Sequence, residues 1–129
     1  MNKAAEFSIA HFQDHSLATC KGPRKQLSDI VENVNMIFSE THREGNKKLL
    51  IDYRKVIFDF PMVDAFNLAK MFEIKFKQYK GIKMAVICPP ANKDFSFFWQ
   101  EISIKRGFDF FVSTDISEGE EWLLSKKAS

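Results

Sequence analysis

Residues Lys48 to Tyr79 constrain the fold more than any other segment of this 129-residue chain. Leu49, Leu50 and Ile51 form an apolar run bounded by polar residues, which predicts a short buried strand over Lys48–Tyr53. After a bend, Pro61 suits the first turn of a helix. From there the apolar spacing changes to about 3.6 residues and holds to Tyr79, with Gly81 as the stop. A buried strand feeding directly into a helix is the repeating unit of an α/β sheet.

The same reasoning extends in both directions. Glu6–Phe12 and Ser16–Cys20 have strand composition and are joined by a turn at Gln13-Asp14-His15, with Gly22-Pro23 expected to end the second strand. Leu27, Ile30, Val31, Val34, Ile37 and Phe38 share one face of a helix over Gln26–Arg43, and Gly45 closes it. Lys83–Cys88 is almost continuously apolar, as a strand buried on both faces requires, and Pro89-Pro90 ends it. Asp94 is placed to cap a helix through Arg106, with Phe95, Phe98, Trp99 and Ile102 inward. Phe108–Val112 is the last strand, and Ser117 with Glu120 has capping-box spacing for a short final helix. The expected order is ββαβαβαβα. One α/β domain follows, with a mostly parallel sheet of four to five strands covered by helices.

Charge and composition remove several classes of function. The 19 basic and 17 acidic residues are interspersed, which gives no basic face for nucleic acid. No apolar run approaches the roughly 20 residues of a membrane span, so a cytoplasmic protein is expected. Cys20 and Cys88 sit in apolar surroundings and read as buried free thiols. No glycine-rich phosphate cradle is present, so no nucleotide cofactor is expected. His11 and His15 lack the further ligands of a metal site. Asp59 and Asp64 have no neighbouring base. The expectation is therefore no catalytic residue, no metal and no cofactor. Fourteen Phe against two Tyr imply a large aromatic core, a sticky surface or an apolar cavity.

The segment Lys48–Pro61 and the helix behind it resemble STAS domains, the bacterial anti-sigma-factor-antagonist fold. In those, a strand ending in Asp leads through a Val-x-Phe bend to a serine-bearing helix start. Phe60-Pro61-Met62-Val63 stands here where that family has Asp-Ser-Ser-Gly. Arg106-Gly107-Phe108-Asp109-Phe110-Phe111 and Glu118-Gly119-Glu120-Glu121-Trp122-Leu123 are similar to the SpoIIAA-like branch of small bacterial proteins. The resemblance runs from about Phe7 to Leu124. It implies a non-enzymatic, partner-binding module whose second helix and preceding bend face the partner, without the phosphorylatable hydroxyl. The architecture is shared with CRAL-TRIO lipid-transfer domains, which brings in an apolar ligand as the alternative.

Two candidate sites follow. Placing Met62, Ala65, Phe66, Ala69, Phe72 and Phe76 on the core face of the second helix leaves Val63, Met71 and Ile74 outside. With Phe58, Phe60 and Met62 these residues are the expected contact surface for a protein partner or a second copy. Phe97 and Ile104 repeat the pattern on the next helix. Cys88, Pro89, Phe97 and Phe98 surround the C-terminal end of the presumed central strand, where open α/β sheets hold ligands. In the apolar-ligand alternative a cavity is lined by Phe58, Phe60, Phe72, Phe97 and Phe98.

Overall fold

The computed structural model describes residues 7–61 and 63–125. Five strands run β1 (Phe7–His11), β2 (Ser16–Arg24), β3 (Lys48–Phe58), β4 (Lys83–Ile87) and β5 (Phe110–Ser113). Four α-helices follow the expected order: α1 (Leu27–Arg43), α2 (Val63–Lys75), α3 (Lys93–Lys105) and α4 (Ile116–Leu124). The sheet is ordered β1-β2-β3-β4-β5. Only the β1–β2 hairpin is antiparallel; the other three pairings are parallel.

Period-two alternation divides the strand side chains between two faces of the sheet. Ala18, Cys20, Leu49, Ile51, Tyr53, Met84, Val86, Phe110 and Val112 share one core with the inward residues of α1, α2 and α3. Leu50, Ala85 and Ile87 form a second, smaller core with Leu123 of α4. β4 is thus buried from both sides, which accounts for its unbroken apolar run. Gly119 lets α4 lie close to the sheet, because a Cβ there would come within 2.4 Å of the Ile87 Cδ1.

Several element ends differ from the sequence expectation. Gly22-Pro23 does not end β2; pairing continues to Arg24 opposite Phe58, past an irregularity between Thr19 and Lys21. Among the described residues β1 reaches only to Phe7 opposite Cys20. Among the described residues Pro23 thus has a strand neighbour on one side only, the β3 side, a position proline tolerates because one side of the strand needs no donor. The prolonged partner carries β3 through Phe58, so the stretch expected to bend is strand. α2 starts at Val63 and stops at Lys75, and Lys77–Tyr79 is a separate 3₁₀ turn. Asp94 lies in the first turn of α3 and does not cap it, the N-cap being Asn92 after a 3₁₀ turn over Pro90–Asn92. The cap of α4 is Asp115, whose side chain accepts from Ser117 N at 2.9 Å, so the expected Ser117 capping box lies two residues too late.

The phenylalanine excess fills the main core. Phe72 meets Phe38, Phe76, Trp99 and Phe108 edge-on, with centroids 4.8 to 6.2 Å apart. Trp99 in turn stands edge-on to Phe110 at 4.8 Å. Such offset geometries suit the ring quadrupole and lock neighbouring rings in place.

Candidate functional site

The outer surface of α2 and α3 is where apolar side chains and solvent meet most. Ala65, Leu68, Ala69 and Phe72 are buried on the inward arc of α2. Leu68 takes the place that the periodic reading gave to Phe66, because the arc is centred between Ala65 and Phe72 and Phe66 falls about 100° to one side. Val63 is 62% exposed, Phe66 43%, Ile74 70%, Phe97 40% and Ile104 50%. Val63 and Ile74 are three turns apart and so share one stripe. Phe97 and Ile104 do the same on α3, two turns apart. Arg106, at the end of α3, ties the helices together: its Nη1 donates to Glu73 Oε1 at 2.5 Å and its guanidinium lies 5.5 Å from the Phe66 ring centre.

The other expected contact residues are placed differently. Phe58 and Phe60 are half-buried and belong to the core's aromatic margin, with Phe58 edge-on to Tyr53 at 5.3 Å and both rings stacked on Phe95. Met71 is half-buried and packs on the main core, not outside it. Met62 lies outside the described residues.

The ligand-pocket residues are not brought together. Cys88 is fully buried beneath α3, where Ser96 hydrogen-bonds its thiol, while Pro89 is half-buried. Phe97 sits roughly 150° round the helix from the inward face, on the far side from Cys88. Phe98 packs on the core between them. The strand order never reverses, so the sheet has no crevice of the kind that forms where crossovers switch faces. Phe72 is enclosed by other rings, and Phe97 is out in solvent, so the five phenylalanines of the apolar-ligand reading do not share one wall.

His11, His15, Asp52 and Asp64 are each engaged by a neighbouring group. His11 Nδ1 lies 2.7 Å from Ser16 Oγ, which also accepts from Asn46 Nδ2 at 2.9 Å. His15 Nδ1 contacts Asp14 Oδ1 at 2.8 Å. Asp52 takes a bidentate grip from Arg54, at 2.9 and 2.8 Å, together with the Arg54 backbone N–H at 3.0 Å. Burial raises the Asp52 pKa, but these hydrogen bonds and the guanidinium charge outweigh it and hold the carboxyl below its ordinary value. Asp64 is a first-turn carboxylate that accepts from Asn67 Nδ2 at 3.4 Å, and Asp59 is exposed. Among the described residues no group of three or more His, Cys, Asp or Glu could hold a metal ion, and no helix is long and apolar enough to cross a membrane.

One polar cluster was not visible in the sequence. Arg24 is buried in the core at the end of β2, donating Nη1 to the carbonyls of Lys21 and Pro23 at 3.1 and 3.2 Å and Nη2 to Asn33 Oδ1 at 3.4 Å. Cys20 Sγ donates to the same Asn33 oxygen at 3.6 Å. Burial pushes the Cys20 thiol up to about 12, against the pull of the Arg24 charge. Burial likewise raises Cys88. Neither thiol is a thiolate nucleophile at neutral pH. An arginine reads as surface unless the strand carrying it is known to continue under a helix, and Pro23 argued against that. A cleft of about 810 Å³ also opens beside α4, lined by Lys83, Asp109, Phe111, Glu118, Glu121 and Trp122 among others. Its aromatic wall is self-contained: Phe111 stacks on Trp122 at 5.1 Å and Lys83 Nζ sits 4.5 Å over the indole.

No protein-family model matches the chain, and no curated protein matches it. Among solved structures it is similar to an uncharacterized protein of the DUF3478 family with a SpoIIAA-like fold, from Shewanella loihica PV-4. The two are 16% identical over 92% of each chain, with a TM-score of 0.52. The chain has a SpoIIAA-like fold.

Proposed function

We propose that this chain is a non-enzymatic interaction module that docks a protein partner on the outer face of α2 and α3, and that serine phosphorylation at the α2 start does not switch it. The observation that carries the reading is the exposure of Val63, Phe66, Ile74, Phe97 and Ile104 on two adjacent helices. Single exposed apolar residues are ordinary, but several on neighbouring elements are what interaction surfaces present. The charge around them selects the partner. Lys70, Lys75, Lys93 and Lys105 are exposed on these helices against the exposed acids Asp94 and Glu101. That balance fits a protein surface that is apolar at its centre and acidic at its rim. The resemblance to STAS domains supports the same face, since it implies a partner against the second helix. Phe60-Pro61-Met62-Val63 offers no hydroxyl for a kinase.

The test is quantitative recovery of the chain with its partner from its own cells. Val63→Ser with Ile74→Ser and Phe97→Ser should leave a folded protein, since exposed substitutions usually change stability by about 0.5 kcal/mol or less each. It should lose a stoichiometric partner that Met36→Ser, on the exposed side of α1, retains. Equal recovery by both variants contradicts the reading, as does native mass spectrometry showing a stoichiometric apolar adduct in place of a protein.

A further inference from the structure

The two edges of the sheet are treated differently. β5 is four residues long and is guarded: the Val112 N–H, turned away from β4, donates to Gln100 Oε1 of α3 at 2.5 Å. β1, the opposite edge, is Phe7-Ser8-Ile9-Ala10-His11, with no charged residue and no proline. Natural edge strands normally carry such residues to prevent pairing with another chain.

The hairpin fixes which backbone groups of β1 are open. Phe12 N donates to His15 O at 2.8 Å, so Phe12 and His15 are a hydrogen-bonded pair. Bonded and non-bonded pairs alternate along an antiparallel ladder. Ala10 with Leu17 and Ser8 with Thr19 are therefore also bonded pairs, in the observed register. The N–H and C=O groups of Phe7, Ile9 and His11 point outward, and none has a partner among the described residues.

We propose that this edge pairs antiparallel with β1 of a second copy of the chain, about a two-fold axis at Ile9, joining the two sheets. That register alone engages all six open residues of the two copies; a slip of two residues in either direction leaves two of them unpaired. Ile9 exchanges both backbone bonds with Ile9 of the second copy, and Phe7 does so with His11 of the second copy. Side chains follow the same symmetry. Phe7 and Ile9 are half-buried against the main core, and their remaining exposed flanks meet each other's copies across the axis. Ser8 lies opposite Ala10 on the other, exposed face. The pairing is independent of the helical docking face. β1 ends the strand order at one side and α3 packs on β5 at the other, so a dimer presents two free docking faces.

The experiment is amide hydrogen exchange on the purified full chain at micromolar and millimolar concentration. The Phe7, Ile9 and His11 amides should gain protection with concentration, while Ser8 and Ala10 stay protected throughout. Ser8→Glu with Ala10→Glu places like charges opposite each other twice in the dimer and should weaken it about tenfold or more. Ser8→Lys with Ala10→Glu, equally exposed, should restore it. Odd-numbered amides that exchange equally fast at both concentrations overturn the proposal, and so do two charge variants that dimerise alike. Protection that arises only when cell extract is added also overturns it, and assigns the edge to an extended segment of another protein.

Discussion

Truncating Phe72 to alanine reads out whether the phenylalanine-rich interior is packed solid. The ring is fully buried, and four aromatic neighbours stand edge-on to it at 4.8 to 6.2 Å. Its transfer from water contributes about 1.5–3 kcal/mol. The cavity left behind and the lost edge contacts bring Phe→Ala costs to about 3–5 kcal/mol. Surrounding rings that are themselves interlocked cannot collapse into the gap, so the upper half of that range is expected. For a domain of this size that is a fall of roughly 12–20 °C in melting temperature. Urea unfolding should show the loss in the midpoint with the slope unchanged, because the surface exposed on unfolding hardly differs. Fatty acids of several chain lengths should leave the wild-type melting temperature where it is. A cost below about 1.5 kcal/mol, or a ligand-dependent rise near the 2.7 kcal/mol expected at a hundredfold excess over Kd, refutes the packed core.

Three further outcomes follow from particular contacts. Gln100→Ala strips the acceptor from the Val112 N–H, so that amide should exchange faster and the protein lose about 1 kcal/mol; unchanged exchange would show that the edge was not guarded. The Asp52–Arg54 pair stabilises the fold above the ordinary carboxylate range, near pH 4, and that contribution is lost as pH falls through the lowered Asp52 value; Arg54→Met should flatten acid unfolding in this window, and an unaltered profile would contradict the assignment. Phosphopeptide mapping of growing and stationary cells should find no phosphate between Phe58 and Phe66, and stoichiometric modification of Asp59 or Asp64 would overturn that.

The element order was legible because the periodicity of each segment agrees with its place in the sheet. Lys83–Cys88 announced a strand buried on both faces, and α4 with Leu50, Ala85 and Ile87 supplies the second cover. What misled was local punctuation. Gly22-Pro23 reads as a stop, yet among the described residues Pro23 has one strand neighbour, and the longer β2 lengthens β3 and draws Arg24 into the core. Pairing between distant strands decided this, and propensity does not contain it. The proposed docking face was half legible: a 3.6-residue template finds the outward stripe through Val63 and Ile74, but it does not distinguish Leu68 from Phe66 when every side of α2 carries apolar residues. The open edge of β1 was invisible, since it depends on strand order and on hydrogen-bond parity within the hairpin.

Site-specific photo-crosslinking in the native cell tests the central claim most directly. A photoreactive phenylalanine at Ile74 or Phe97, both exposed and on adjacent helices, should capture the same protein, and a probe at Glu32 on the exposed side of α1 should not. Raising the salt concentration should weaken capture, because the lysine rim contributes to docking. Probes at Ile74 and Phe97 that capture nothing, or no more than the Glu32 probe does, would contradict a partner on the α2–α3 face.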